Sequence, residues 1–414
     1  MDIFQLIALL LTLSALASYI NHRYFKLPAT IGMMVIALSG SLVLVLLRHL
    51  GMLDADEAAA FIHSFEFGDL LLHGMLGFML FAGALHINLD ELIQVKWPVV
   101  TLTSVGTIIA TAITGLLFWV VNHWFGFDFS LIYALIFGAL IAPTDPIAVM
   151  GILKQTGANN RLKMKIAGES LFNDGIAIVI FLTLLGIITG ETVPSADHIA
   201  IFLLLEVGGG ALLGLCLGWI SYQLIRSVDA YQVEILITLA LVAGTYSLSE
   251  IVHVSAPIAV VTAGLLIGNH GRSFGMSKKT RQQLDDFWGL VDEFLNAILF
   301  VLIGLEVVTL NTELSHLGLG LGAIVIVLTA RFISVYIPIK LLSLRQEFAK
   351  GTIRILTWAG LRGGISIALA LSLPESAERE LIVGSTYIVV VFSILVQGLT
   401  IGPLIKRLTA TSAQ

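Results

Sequence analysis

Two carboxylates and an amide interrupt the apolar stretch GESLFNDGIAIVIF at residues 168–181. On a helix, Asp174 shares a face with Ser170, four residues earlier, and Glu169 shares the neighbouring face with Asn173. The first face offers a carboxylate and a hydroxyl, which are oxygen ligands of the kind that hard cations prefer. The second face offers a carboxylate to a cationic side chain elsewhere. We therefore predict ion or proton binding at Asp174 and a structural ion pair at Glu169.

A second polar interruption lies upstream, in GALIAPTDPIAVMGIL at residues 138–153. Pro143 and Pro146 remove two backbone donors and crowd the preceding turns, so a helix is expected to unwind there. Unwound backbone at bilayer depth is tolerated only where protein or a water-filled cavity satisfies it. A simple proline kink would account for the prolines. Thr144 and Asp145 between them favour a binding site instead.

Two arginines also lie in apolar stretches. Arg331 lies in VIVLTARFISVYIPI, and Arg362 lies in WAGLRGGISIALALSLP, where Gly363 and Gly364 follow it directly. Glycine permits backbone breaks and close helix approach, so the second stretch is another candidate broken helix. Either arginine could be the partner of Glu169.

The charges of these polar groups do not cancel. Fully ionised, Asp145, Glu169 and Asp174 together with Arg331 and Arg362 carry a net charge of −1. One proton or one monovalent cation would make the set neutral. A charged site is costly inside a bilayer, whereas a neutral one crosses it at lower cost. The hypothesis is that one carboxylate binds a proton or a monovalent cation and that another is already paired with an arginine.

The composition indicates the elements that must hold these residues. The chain is 57% hydrophobic and only 12% charged, with a mean hydropathy of +0.97, which is typical of an all-α polytopic membrane protein. Its net charge of −6 is scattered over short loops and gives no reason to expect nucleic acid as a partner. A spanning helix needs about 20 mostly apolar residues. Thirteen candidate spans follow, near 3–20, 28–48, 70–86, 97–121, 130–153, 164–189, 198–225, 231–253, 255–270, 290–310, 316–340, 352–373 and 381–405.

The basic residues support an orientation for these spans. With the N-terminus outside, 18 of the 22 Lys and Arg residues fall in loops that face the cytoplasm, together with a cytoplasmic C-terminus. One span more or fewer would destroy this alternation. The polar segment 276–289 is expected to be a short connector that forms an amphipathic surface helix.

The two predicted breaks lie in the fifth and twelfth spans, seven spans apart. Spans one to six and eight to thirteen would then form two six-helix repeats, with span seven as the linker. Because seven is odd, matching helices run in opposite directions, which is an inverted repeat. Interrupted segments at matching positions of two halves are a pointer to a transporter's binding site.

Four motifs carry a resemblance to a known family. APTDPIAV at 142–149, GESLFNDG at 168–175, TAR at 329–331 and the stretch at 358–374 resemble monovalent cation/proton antiporters of the bacterial NhaP and animal NHE type. Weaker matches extend the resemblance over nearly the whole chain, in order. It implies an NhaA-like fold with two inverted six-helix repeats and crossed broken helices. It also implies a bacterial inner (plasma) membrane location and no cofactor beyond the transported Na⁺ and H⁺.

The resemblance also implies roles for single residues. Asp174 matches the cation- and proton-binding carboxylate, and Asn173 its partner, where electrogenic relatives have a second Asp. Ser170, Thr144 and Asp145 match positions near the bound ion, so Asp174, Ser170 and Thr144 are the expected Na⁺ ligands. Glu169 and Arg331 match a structural ion pair. Pro143, Pro146, Arg362, Gly363 and Gly364 match the broken helices and their charge balance.

At the level of the whole chain, the resemblance implies a single membrane domain of residues 1–414 that forms a homodimer. Residues 97–189 and 316–405 would form the ion-translocating core, and residues 1–90 and 198–310 the dimerisation scaffold. The long regulatory tail of the animal exchangers has no counterpart after the last span. His86, at the end of the third span, is expected to be packed or to face a loop rather than to touch the ion path.

Three other functions were weighed. A channel would need a filter loop or rings of charge, and none is recognisable. The sequence lacks HExxH and GxSxG, so nothing indicates an enzyme. A proton- or sodium-coupled solute symporter of related inverted-repeat fold is the main alternative, and it would need a larger polar cavity. The favoured expectation is electroneutral, one-for-one exchange of Na⁺, or of Li⁺ or K⁺, for H⁺ by alternating access at Asp174. The choice among these cations is left open by the sequence.

Overall fold

The structure is a computed structural model. It describes residues 3–50, 68, 70–146, 149–151, 153, 159–190, 196–306 and 314–410. Residues 147, 148 and 152 of the fifth predicted span and 307–310 of the tenth lie outside the described residues.

Over its described ranges the chain is helical, and no strand occurs in them. The main helices, in chain order, are α1 (Ile3–Ile20), α2 (Ala29–His49), α3 (Leu76–Leu85), α4 (Lys96–Trp124), α5 (Leu131–Leu140), α6 (Asn160–Thr189), α7 (Ala196–Arg226), α8 (Tyr231–Ile251), α9 (Ala256–Leu266), α10 (Lys278–Glu306), α11 (Leu314–Leu342), α12 (Thr352–Trp358), α13 (Gly364–Leu371) and α14 (Ala377–Leu408).

Seven of the described helices are long and apolar enough to cross a bilayer on their own, namely α4, α6, α7, α8, α10, α11 and α14. The α1–α2 pair adds an eighth if counted as one span bent by 108°. Each of the thirteen predicted spans contains helix. The all-helical membrane architecture is thus confirmed, and in the described part of the chain these seven or eight helices have the length and composition of a membrane span.

Packing divides the helices into two groups. α4 packs against α5 and α11, and α11 packs against α14. In the other group, α10 packs against α1, α2, α3 and α8, while α9 packs against α3, α7 and α8. α6 contacts both α5 and α9, so it runs along the boundary between the groups. The polar residues of α6 therefore lie where the two groups meet.

Two helices are interrupted, and the sequence explains each interruption. α5 ends at Leu140, and the chain from Ala142 to Pro146 is non-helical, because proline cannot donate to the preceding turn and disfavours helix in the residue before it. The second interruption separates α12 from α13 at residues 360–363, where two glycines flank Leu361 and Arg362. Both interruptions were predicted from Pro and Gly positions.

One predicted boundary was wrong. The segment 276–289 was expected to form a separate surface helix ahead of the tenth span. Instead, a single 29-residue helix, α10, runs from Lys278 to Glu306. Ser277 directly precedes this helix, and its Oγ accepts a hydrogen bond from the Thr280 backbone N–H in the first turn, at 3.3 Å. The helix continues through Gly289 into the apolar segment, because a single glycine weakens a helix by only about 1 kcal/mol and no proline occurs between Lys278 and Glu306.

Candidate functional site

The two helix interruptions contact each other. The backbone N–H of Asp145 donates to the carbonyl of Leu361 at 2.8 Å. The Arg362 guanidinium donates to the carbonyls of Ala142 and Pro143, at 2.5 and 3.0 Å. Each unwound stretch therefore satisfies polar backbone groups of the other, which meets the requirement for non-helical chain at bilayer depth.

Glycine at position 363 is required by this close contact. A Cβ at Gly363 would lie 2.9 Å from Cβ of Asp145 and 3.1 Å from its Oδ2. Any larger residue would have to displace the Asp145 side chain. The sequence pattern Arg-Gly-Gly thus fixes how near the two interruptions approach.

The polar residues of α6 lie against the α5 interruption. Thr144 Oγ1 and Ser170 Oγ are 2.9 Å apart, and Asn173 Nδ2 donates to Thr144 Oγ1 at 2.9 Å. All three side chains are buried. The α6 residues are held at helical spacing, while Thr144 reaches them because the chain is unwound at that point. The result is two hydroxyls and an amide fixed beside Asp174.

Asp174 is buried, with 4% of its surface exposed, and its Oδ1 has no hydrogen-bond partner among the described residues. It borders a cavity of about 90 Å³. Predicted site residues from both interruptions line the same cavity: Pro143, Thr144, Asp145, Pro146, Gly363 and Gly364. A cavity of this size holds a few water molecules or a partly hydrated ion.

Glu169 and Arg331 form a bidentate ion pair behind the cavity. Arg331 NH1 donates to Glu169 Oε1, and NH2 donates to Oε2 at 3.1 Å and to the Leu356 carbonyl at 3.0 Å. Both side chains are buried. The partner of Glu169 is therefore Arg331, whereas Arg362 donates to backbone carbonyl oxygens. Gly360 gives room for the pair, because a Cβ there would collide with the Arg331 guanidinium.

Two further polar residues, His86 and Asp292, lie outside the four sequence motifs. His86 Nδ1 lies 2.7 Å from the Ala82 carbonyl, and its Nε2 lies 4.0 Å from Asp285 Oδ1 on α10, so it does not border the Asp174 cavity. Asp292, which the sequence analysis did not select, does border it from α10. The signal was present in the sequence: Asp292 and Asn296 are four residues apart at the start of the predicted tenth span, and Asn296 Nδ2 donates to Asp292 Oδ1 at 3.0 Å.

Comparison with known families agrees with this geometry. Residues 9–407 match the family described as "Sodium/hydrogen exchanger, transmembrane". The chain belongs to this family. It is 46% identical over 411 residues to the Na⁺/H⁺ antiporter NhaP of Pseudomonas aeruginosa, covering 98% of this chain and 97% of that protein. It is 36% identical to the Na⁺/H⁺ antiporter NhaH of Halobacillus aidingensis, with 98% of both chains covered.

A solved structure is similar in fold. The sodium proton antiporter MjNhaP1 of Methanocaldococcus jannaschii, determined at pH 8, matches with a TM-score of 0.74 at 20% identity, over 98% of each chain. The family assignment agrees with the resemblance of the sequence motifs. Both relatives are Na⁺/H⁺ antiporters, that is, transporters.

Proposed function

We propose that this protein exchanges one Na⁺ for one H⁺ by alternating access, with both cargoes using the Asp174 carboxylate. One observation carries the proposal. Asp174 combines a buried oxygen with no hydrogen-bond partner in the described part of the chain, a bordering cavity, and fixed hydroxyl groups of Thr144 and Ser170 beside it. A buried carboxylate needs a proton or a cation to offset the loss of water. Oxygen ligands from two hydroxyls and a carboxylate suit a dehydrated alkali cation.

The size of the cavity favours an ion over an organic solute. Sites for small organic molecules enclose about 300–1,000 Å³. The cavity at Asp174 has about 90 Å³ and is lined mainly by apolar residues around its acidic groups. A solute symporter of related fold, the main alternative, would need more room and more polar groups that contact the solute. The exchange of Na⁺, with Li⁺ and K⁺ as competitors, therefore remains the favoured function.

The charges favour a one-for-one exchange. Glu169 and Arg331 neutralise each other, and Arg362 offsets one of the remaining two acids, Asp145 and Asp174. The group as a whole then carries one negative charge, which either cargo neutralises. Asn173 adds no charge, whereas a second Asp there would require a second positive charge. Proton and cation compete for one site, so exchange should slow when protons saturate Asp174 at low pH.

The grouping of helices supports a division into a moving core and a static scaffold. Residues 97–189 and 316–405 would form the core, which carries both interruptions and Asp174. Residues 1–90 and 198–310 would form the scaffold. α6 borders the scaffold helix α9, and a Cβ at Gly175 would lie 2.6 Å from Ile258, so the two surfaces are in close contact along the proposed sliding plane. The two six-helix inverted repeats belong to the same proposal.

The remaining features of the proposal concern the assembly. The protein would be a homodimer in a bacterial plasma membrane, with its N-terminus outside and its C-terminus in the cytoplasm. Large apolar side chains on α7 are exposed, including Leu204, Leu205 and Leu212, at 74%, 65% and 63%. Such a surface suits either lipid or a second copy of the chain. Cross-linking of cysteines introduced on α7 would distinguish these two environments.

The test is exchange in proteoliposomes that contain a pH-sensitive dye, with Na⁺, Li⁺ or K⁺ added in turn. Asp174→Asn retains the shape of the side chain but takes neither a proton nor a cation charge, so exchange should disappear while the protein still folds. Asp128→Asn, the same change at an exposed position, is the control. Exchange above a tenth of the wild-type rate in Asp174→Asn would exclude this carboxylate as the shared site.

A further inference from the structure

A basic cleft lies at one end of α11, and none of the residues of the Asp174 site lines it. The cavity measures about 740 Å³ and lies between the end of α11, the loop at 343–351, the start of α12 and Leu408. Three cationic side chains line it: Lys340, Lys350 and Arg354. By the charge distribution of the loops, this end of α11 is expected to face the cytoplasm.

The turn between α11 and α12 brings these cations together. Gly351 has a φ of 86°, a left-handed conformation that glycine adopts without strain. Thr352 Oγ1 donates to the Ala349 carbonyl at 2.7 Å, which holds the turn in place. The turn therefore places Lys350 and Arg354 in the lining of the same cleft as Lys340, which lies in the last turn of α11.

The positive charge of the cleft is not neutralised within the described part of the chain. No carboxylate lines the cleft, and none forms an ion pair with Lys340, Lys350 or Arg354 in the described ranges. All three are exposed, so none is a buried structural cation. A further cation is close by, because Lys165 Nζ lies 4.5 Å from the ring of Phe348, which lines the cleft. The cleft thus attracts an anion.

An apolar stripe leads from the bilayer to this cleft. Successive exposed residues of α11 lie on one face at helical spacing and end at Lys340: Leu321, Val325, Thr329, Phe332 and Tyr336. The rings of Phe332 and Tyr336 stack at 5.6 Å and also line the cleft. From Thr329 to Lys340 the helix rises about 16 Å, close to the roughly 15 Å depth of one leaflet. The cations therefore stand where a lipid headgroup would lie.

We propose that this cleft binds an anionic phospholipid of the cytoplasmic leaflet. The headgroup phosphate contacts Lys340, Lys350 and Arg354, and an acyl chain lies along the stripe that ends in Phe332 and Tyr336. A soluble phosphate could satisfy the cations but would leave the stripe unused, so the lipid is the occupant that fits both. Basic pockets on the cytoplasmic side of membrane helices bind such headgroups by the same charge attraction. This inference concerns binding and does not depend on the exchange mechanism.

The test compares lipid binding to two matched variants of the full chain. The first carries Lys340→Gln, Lys350→Gln and Arg354→Gln. The control carries Arg226→Gln, Lys278→Gln and Lys279→Gln, which removes the same charge from three exposed positions on the same expected side. Each protein is purified in a neutral detergent. The melting temperature is then measured against increasing phosphatidylglycerol, phosphatidylcholine or inorganic phosphate, and retained lipid is counted by native mass spectrometry.

Phosphatidylglycerol should raise the melting temperature of the wild type and of the control, and phosphatidylcholine should not. The cleft variant should need at least about tenfold more phosphatidylglycerol for the same effect, since each basic residue near a membrane surface adds to the attraction. Equal phosphatidylglycerol responses in all three proteins would overturn the proposal. The proposal would also be overturned, in favour of a soluble anion, by a second result: inorganic phosphate raises the melting temperature of the wild type as much as the lipid does, and the cleft variant loses this effect. If the cleft variant fails to fold, Lys350→Gln alone, on the exposed turn, must weaken the response.

Discussion

The Asp174 carboxylate depends on neighbours that have no charge. Thr144, Ser170 and Asn173 form one hydrogen-bonded group at distances of 2.9 Å, which fixes the hydroxyls without neutralising the acid. The cationic neighbours are engaged elsewhere, since Arg331 contacts Glu169 and Arg362 contacts carbonyl oxygens. In the proposed mechanism Asp174 binds the cargo and the other residues support it, so substitutions in the two classes should have different phenotypes.

Loss of the buried ion pair should reduce stability. Arg331→Ala leaves Glu169 buried without its partner, and such a change typically costs about 3–5 kcal/mol of the free energy of unfolding. The expected result is a clearly lower melting temperature and yield in detergent. Arg345→Ala removes an exposed arginine in the turn that follows the same helix and serves as control. Equal melting of Arg331→Ala and the wild type would contradict the structural role of the pair.

Asp292 should influence how readily cations reach Asp174. It borders the cavity from α10, a helix of the proposed scaffold, so its charge would not move with the core. A fixed acid in a narrow, low-dielectric cleft raises the local cation concentration. Asp292→Asn should therefore raise KM for Na⁺ about two- to tenfold with little change in maximal rate.

The neighbouring carboxylate provides a matched control for that variant. Glu293→Gln removes one negative charge from the adjacent, exposed position, which does not border the cavity. It should leave KM for Na⁺ unchanged. The effect of Asp292→Asn should also shrink as ionic strength rises. Equal KM values for both variants, or a loss of maximal rate alone in Asp292→Asn, would assign Asp292 another role.

At the scale of elements, the two interrupted helices form the site only by crossing. The contact between the Asp145 N–H and the Leu361 carbonyl links them, at 2.8 Å, and glycine at 363 allows it. α6 then supplies its polar face to this crossing. The interruptions thus provide both the unwound backbone that brings Thr144 to Ser170 and the space in which an ion would lie.

Substitution of the crossing glycine should impair exchange. A Cβ in Gly363→Ala would approach Cβ of Asp145 to 2.9 Å, a distance that real Cβ atoms essentially never show, so Asp145 or the crossing must shift. The expected result is at least a tenfold loss of exchange rate in proteoliposomes. Gly384→Ala is the control, because a Cβ there meets nothing within 4 Å. Wild-type exchange in Gly363→Ala would show that the crossing tolerates displacement.

Much of this arrangement follows from the sequence, for identifiable reasons. Helical spacing alone joins Ser170 to Asp174, and Pro143 with Pro146 marks the interruption. The approach of Thr144 to Ser170 could not be derived, since it depends on the packing of α5 against α6. Asp292 was missed because the polar segment before it was assigned to a separate surface helix, which left Asp292 at the very start of the predicted tenth span, where charged residues are common.

At the scale of the whole molecule, the proposed exchange depends on the net charge of the core. In the proposed mechanism, one negative charge in the core is neutralised by either Na⁺ or H⁺, so both loaded forms would be neutral and the core would cross the field of the membrane without moving net charge. Asn173 rather than a second acid beside Asp174 is the feature on which this depends. The fixed acid Asp292 does not alter the balance, because it belongs to the part that would stay in place.

The most direct test imposes a membrane potential during exchange. Proteoliposomes loaded with K⁺ and treated with valinomycin develop a diffusion potential when the outside K⁺ is lowered, and Na⁺/H⁺ exchange is followed with a pH-sensitive dye at several imposed voltages. The account predicts that the rate and the final pH gradient do not change with voltage. A rate or an end point that follows the voltage would contradict it, because more than one proton would then move with each Na⁺. A second titrating group, with Asp145 the first candidate, would have to join Asp174 in the cycle.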